Sequence, residues 1–248
     1  DRLINLDGYA WFDDAVGLAV KSDADVVVEL IGGSDGIARQ VCEAALDAGK
    51  HVVTANKALI AVAGTELALK AEAANVSLGF EAAVCAGMPI IKMLREGLVA
   101  NSFSRIYGIL NGTCNYILSH MYETGREFKD VLTEAQRLGY AEADPSFDVD
   151  GVDSAHKLAI LTSLAFGSVV NFDDVYVEGI RHISSLDIIY ANELGYRIKL
   201  LGITELSDNG IFQRVHPTMV PCGSPIAGVE EHLRRQGRRP RSVARRDP

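Results

Sequence analysis

The chain has 248 residues, with 24 Lys+Arg against 33 Asp+Glu, a formal charge of −9. With 48% apolar and 23% charged residues it has the make-up of a soluble globular protein with a sizeable core. An acidic balance argues against nucleic acid as a partner. No apolar run approaches the roughly 20 residues that cross a bilayer, and the first ten residues lack a signal-peptide layout. The expectation is a cytoplasmic protein that handles a small molecule.

The four cysteines, Cys42, Cys85, Cys114 and Cys222, are too far apart for a zinc pair or a disulfide framework, so reduced thiols are expected. Charge is uneven along the chain. Residues 1–229 hold 17 basic and 30 acidic residues, whereas 230–248 hold seven Arg and three acids. That basic tail has almost no apolar periodicity and reads as disordered or artefactual.

In chain order, 25–31 is a β-branched apolar run that ends in Gly32, Gly33 and Ser34, a buried strand and a tight turn. Apolar spacing over 36–48 predicts a helix stopped by Gly49. Residues 51–54 form a second strand, 65–74 a helix and 76–82 a third strand. Strands alternating with helices in this way predict a parallel α/β sheet. Beyond 82 the pattern changes. Helices are expected over 89–99, 115–123, 128–138 and 152–166, with a strand at 104–110 and a polar loop over 139–151. Segments 196–206 and 211–220 flank Ser207, Asp208, Asn209 and Gly210, a hairpin signal whose strands should pair antiparallel. The reading is a partial Rossmann-type α/β domain over 1–82, an α+β substrate and dimerisation domain over 83–229, and the tail.

Dinucleotide binding ordinarily uses Gly-x-Gly-x-x-Gly after a first strand, and no two glycines here are separated by a single residue. The turn at Gly32 and Gly33 still lies at the carboxyl end of a strand, where a cofactor crevice forms. Thr54, Ala55, Asn56 and Lys57 follow the second strand at the same edge; Lys57 could hold a phosphate, polarise a carbonyl or be solvated. Glu81 precedes a glycine and a proline-initiated helix, an arrangement that serves a ligand, an ion or plain helix entry. Asn111, Gly112 and Thr113 end a strand with small polar groups, suited to a substrate or to capping. The densest cluster places Glu142, Asp144, Asp148, Asp150 and Asp153 within twelve residues, followed by Lys157. Asp153 and Lys157 are four apart on a mostly apolar helix and share a face. A lysine so held can exchange a proton with a substrate oxygen, and Glu142 suits a substrate ammonium. The acids do not follow calcium-loop spacing, and a surface salt bridge is the remaining alternative.

Four stretches carry a resemblance: TANKALI at 54–60, FEAAVCAGMPIIK at 80–92, GILNGTCNYI at 108–117, and GYAEADP at 139–145 leading to DSAHKL at 153–158. From about residue 24 to about residue 228 the sequence resembles homoserine dehydrogenases. The resemblance implies interconversion of L-homoserine and L-aspartate 4-semialdehyde with NADP or NAD, in threonine, methionine and isoleucine biosynthesis, by a homodimer or dimer of dimers. It implies that Lys157 moves the proton at the substrate oxygen and that Asp153 positions lysine and substrate. Glu142 would grip the substrate amino group, with Asn111, Gly112, Thr113 and Tyr140 also lining the substrate. Lys57 would stand between nicotinamide and substrate, with Gly32, Gly33, Ser34, Thr54, Asn56 and Gly139 near the cofactor. Glu81 and the carbonyls of Val84, Ala86 and Met88 match a monovalent-cation site for Na or K. Glu142, Asp153 and Lys157 are expected to face the ends of the strands at 25–31 and 51–54. Two family features are missing from this sequence, the glycine-rich phosphate loop and the pattern beyond Val229. A chain without them is expected to have little activity of its own, and an inactive dimerising or amino-acid-binding module is the alternative.

Overall fold

The computed structural model describes residues 7–229. Asp14 opens helix α1 (Ala15–Lys21), its carboxylate taking the N–H groups of Val16 and Gly17. Strand β1 (Val26–Glu29) leads through a glycine turn to α2 (Ile37–Asp47), which buries Ala38, Val41, Cys42, Ala45 and Leu46 on one face. Strand β2 (His51–Thr54) is followed at once by α3 (Lys57–Ala73). That helix begins eight residues before the expected 65, because the Asn56 side chain accepts the Leu59 N–H and caps it. The third strand, expected over 76–82, shortens to β3 (Leu78–Gly79), since the chain turns into α4 (Ala82–Cys85). The helix expected over 89–99 is a short α5 (Ile90–Lys92) running into a π-turn at Met93–Gly97.

Strand β4 (Arg105–Gly108) precedes α6 (Gly112–Thr124), capped by Asn111 and stopped by Gly125 in the left-handed region. Helix α7 (Phe128–Leu138) ends the same way at Gly139, with φ of 78°. The expected loop over 139–151 contains a helical turn, α8 (Ser146–Val149), before α9 (Val152–Phe166). Strand β5 (Tyr176–Val177), helix α10 (Ser185–Glu193) and strands β6 (Tyr196–Ser207) and β7 (Gly210–Pro221) follow, with a 3₁₀ turn at Pro225–Gly228 last among the described residues. Helix α10 carries a reciprocal Ser184 and Asp187 capping box.

The strands form two sheets. One is parallel, in the order β1-β2-β3, with Val26 opposite His51 and Val52 opposite Leu78. The other has the order β4-β6-β7-β5. Its β4, β6 and β7 are antiparallel, as expected, but β5 runs parallel to β7 because it returns from α9 and not from a hairpin. In the parallel sheet Val27, Glu29, Val52 and Thr54 are buried, whereas Val26, Val28 and Val53 are 45%, 60% and 44% exposed.

Among the described residues two compact units result, 7–103 with 159–173, and 104–158 with 174–229. The expected boundary at 82 differs from this division. Residues 83–103 stay with the first unit, as does the second half of α9, where Ile160, Ser163 and Leu164 line a cavity with Ile60 and Gly64 of α3. The basic tail lies outside the described residues apart from its approach at Val229. Among the described residues no helix is long and apolar enough to cross a membrane.

Candidate active site

In the second unit the junction of β4 with α6 meets the start of α9. Lys157 Nζ donates to Asp153 Oδ2 at 2.7 Å and to the Leu110 carbonyl at 2.8 Å. The side chains are 17% and 6% exposed, so the pair is largely withdrawn from water, where charge-assisted bonds are stronger. Asn111 Nδ2 donates to the same Asp153 Oδ2 at 2.9 Å and to Asp148 Oδ1 at 2.8 Å. Its Oδ1 accepts the Cys114 N–H at 2.8 Å. One amide therefore caps α6 and bridges two carboxylates. Thr113 Oγ1 lies 3.0 Å from both Asp148 Oδ2 and the Tyr140 carbonyl. The Cys114 Sγ donates to the Asp148 carbonyl, and burial, then the charges of Asp148 and Asp153, push its thiol pKa up.

The five acids of the cluster divide by task. Asp144 accepts the Ser146 N–H at 3.1 Å; hydrogen bonding to the Ser146 side chain and backbone lowers its pKa. Asp150 pairs with Arg181, which also donates to Ser146 Oγ. Glu142 is exposed; its carbonyl accepts the Gln136 amide, and its carboxylate has no hydrogen bond or ion pair among the described residues. Gly112 is the first residue of α6, and Gly139 is the left-handed stop of α7. The Tyr140 ring packs against Tyr116, centroids 4.5 Å apart.

In the first unit, the ends of β1 and β2 carry the other expected residues. Gly32 and Gly33 have φ of 88° and 87°, a region that favours glycine. A Cβ on Gly32 would meet nothing within 4 Å, and on Gly33 only the Asp35 carbonyl at 3.8 Å. The turn from Ile31 to Ser34 is exposed, so a ligand can approach its peptide planes. Asn56 Nδ2 donates to the Gly33 carbonyl at 2.7 Å, and Lys57, partly buried, heads α3. The Glu81 carboxylate accepts the Ile91 and Lys92 N–H groups at 2.8 and 2.9 Å, and the Met88 carbonyl accepts the Ile90 N–H. The Glu81 carboxylate and the Met88 carbonyl thus meet the start of α5, and Ala86 between them takes φ of 48°.

The family model for homoserine dehydrogenase matches residues 89–235, and that for the homoserine dehydrogenase NAD binding domain matches residues 8–81. The chain belongs to the homoserine dehydrogenase family. The homoserine dehydrogenase of Neisseria gonorrhoeae is 54% identical over 221 residues, covering 89% of this chain and 51% of that protein. That of Pseudomonas aeruginosa is 55% identical over 216 residues, covering 87% and 50%. The crystal structure of a homoserine dehydrogenase from Thiobacillus denitrificans superposes with a TM-score of 0.83 at 54% identity, over 87% of this chain and 49% of that one. A hyperthermophilic archaeal homoserine dehydrogenase solved in complex with NADPH gives 0.73 at 26% identity, over 89% and 63%. This chain spans about half the length of the curated relatives it matches.

The family match begins at residue 8 and runs to 235, wider at both ends than the motifs alone suggest. The structure joins Asn111, Thr113, Asp153, Lys157 and the Tyr140 carbonyl in one hydrogen-bond network. It adds two members that residue reasoning left without a role, Asp148 and the Leu110 carbonyl. Nothing in the sequence separates Asp148 from Asp150, whose partner Arg181 is 31 residues away. No sequence signal marks a carbonyl.

Proposed function

We propose that this chain carries the catalytic residues for NAD(P)-linked interconversion of L-homoserine and L-aspartate 4-semialdehyde. The observation that supports this best is the Lys157 ammonium. It has three hydrogens, and Asp153 and the Leu110 carbonyl take two, which leaves one to direct at a substrate oxygen. In the reducing direction Lys157 gives that proton to the oxygen as the aldehyde becomes an alcohol; in the oxidising direction it takes the hydroxyl proton. The nicotinamide, when bound, supplies or accepts the hydride. Asp153 fixes the lysine, and Asp148 with Thr113 offers polar groups to the substrate chain. The exposed Glu142 carboxylate suits the substrate ammonium. Gly32, Gly33, Ser34, Thr54, Asn56 and Lys57 would hold the cofactor, NADP or NAD; the open approach above Gly32 suits its planar ring.

The same reading carries a cytoplasmic homodimer or dimer of dimers. Tyr107, Tyr176, Phe212 and Met219, exposed on the second sheet, supply apolar surface for a second copy. The test assays the purified chain for NADPH oxidation with L-aspartate 4-semialdehyde and for L-homoserine binding by calorimetry. In a version extended to the full length of its relatives, Lys157→Ala should lower kcat by about 10²–10⁴ while NADPH affinity stays within about threefold. Near-parent turnover would move the proton transfer to Lys57. A parent chain with neither turnover nor homoserine binding would overturn the assignment.

A further inference from the structure

Glu29 has no part in the chemistry above, yet it is a carboxylate only 1% exposed at the carboxyl end of β1. All three of its hydrogen bonds are accepted ones, the pattern of a carboxylate. Oε1 takes the N–H groups of Ile31 at 2.6 Å and Gly32 at 3.0 Å, and Oε2 takes the Thr54 hydroxyl at 2.5 Å. Thr54 Oγ1 itself accepts the Asn56 N–H at 2.9 Å, so its single hydrogen is committed to Glu29. Asn56 then returns to the turn by donating to the Gly33 carbonyl and starts α3 by accepting the Leu59 N–H. These bonds close a ring. The turn after β1, the end of β2 and the N-cap of α3 are all linked through this one side chain.

An inward position on this sheet suits an apolar residue, as Val27 of β1 and Val52 of β2 show. A buried carboxylate there is costly unless its bonds do something an apolar side chain cannot. The residues it ties are those proposed to hold the cofactor. We propose that Glu29 is a positioning residue that locks the Gly32 and Gly33 turn to Thr54, Asn56 and Lys57, so that both edges of the dinucleotide cradle keep a fixed spacing. This inference rests on the cofactor reading of that edge.

The ring predicts effects that cross it. In Glu29→Gln the amide can still accept from Ile31 and Gly32, but it presents a donor to Thr54, whose hydrogen then loses its acceptor. Amide exchange at Asn56 and Leu59 should quicken about tenfold, the size of one net hydrogen bond. Thr54→Val, which touches neither turn amide, should quicken exchange at Ile31 and Gly32 by a similar factor. Amides of β6 and β7 serve as the reference and should not change, which separates loss of the ring from global loosening. NADPH, titrated by its fluorescence, should bind each variant about tenfold more weakly than the parent. Exchange changes confined to the mutated side would overturn the coupling. Unaltered NADPH affinity in both variants would overturn the positioning role. A parent that shows the crossed exchange but binds no NADPH would overturn the cofactor reading of the edge and the role built on it, leaving the ring as a structural tie. Should Glu29→Gln fail to fold, the Thr54→Val arm decides alone.

Discussion

Asn111→Asp tests whether the amide bridge in the second unit holds its two acids in place. Asn, Asp and Ser all cap helices well, so the α6 cap should survive in Asn111→Asp and Asn111→Ser alike. Both lose the bonds to Asp148 and Asp153, now 2.8 and 2.9 Å long and largely sheltered. Bonds to charged groups contribute about 1.5–3 kcal/mol each, so Asn111→Ser should cost about 3 kcal/mol after water enters. Asn111→Asp adds a third carboxylate about 3 Å from the other two. At an effective dielectric near 20 that repulsion is about 5–6 kcal/mol for each of the two pairs before the groups shift apart, and once they have parted a total loss of at least about 5 kcal/mol is expected at pH 7. Crowded acids have folded-state pKa values raised above the unfolded ones. Their penalty is therefore present at pH 7 and fades as pH falls through the folded pKa towards about 4. Urea denaturation read by exchange of β6 and β7 amides reports this unit alone. The Asn111→Asp deficit should exceed that of Asn111→Ser at pH 7 and close towards pH 4. Equal deficits for the two variants, unchanged with pH, would refute the bridge.

Two further outcomes follow from the second unit. Lys199 is 2% exposed among the neutral oxygens of Asn115, Ser119 and Val229; burial, then nearby Arg197, lowers its pKa from 10.5 to about 8. Between those values the unfolded chain holds the proton more tightly, so folding stability should gain about 3 kcal/mol as pH rises from about 8 to 10.5. Lys199→Met should flatten this rise in urea midpoints, and parallel curves would exclude it. Gly179→Ala would place a Cβ 2.3 Å from the Val149 carbonyl oxygen and 2.5 Å from Asp150 Cα, both backbone atoms. It should cost at least about 3 kcal/mol, seen as a fall in Tm or in soluble yield. Gly195→Ala, with open space around it but φ of 82°, should cost only about 1–2 kcal/mol.

What could be read from the sequence depended on repetition. The runs at 25–31 and 51–54 are β-branched and continuous, and the Ser207 to Gly210 turn separates two long strands, so these elements were legible. The π-turn at Met93–Gly97, α8 and β5 have two to five residues each, too few to show a period. Asn56 looked like a ligand-side residue, and its cap of α3 was missed because capping and binding use the same side-chain types. In the site, the spacing of four between Asp153 and Lys157 fixed their shared face, and the structure pairs them. Asp148 was hidden among five acids, since only folding shows that Asp150 is taken by Arg181 and Asp144 by Ser146. Glu29 was hidden because an acid inside the apolar run 25–31 reads as a residue turned to water, when it is in fact buried.

The parallel sheet leaves one face bare among the described residues. Val26, Val28 and Val53 are exposed on it, Leu30 and Ile31 are exposed just beyond, and β1 is an edge strand. Edge backbone and apolar side chains together make a template on which a second sheet can grow. The chain's behaviour at high concentration is then governed by this surface and not by its folding free energy. A variant made more stable in its core would precipitate as readily as the parent, whereas a threonine at Val28 and another at Val53 would keep it in solution with its unfolding midpoint almost unmoved.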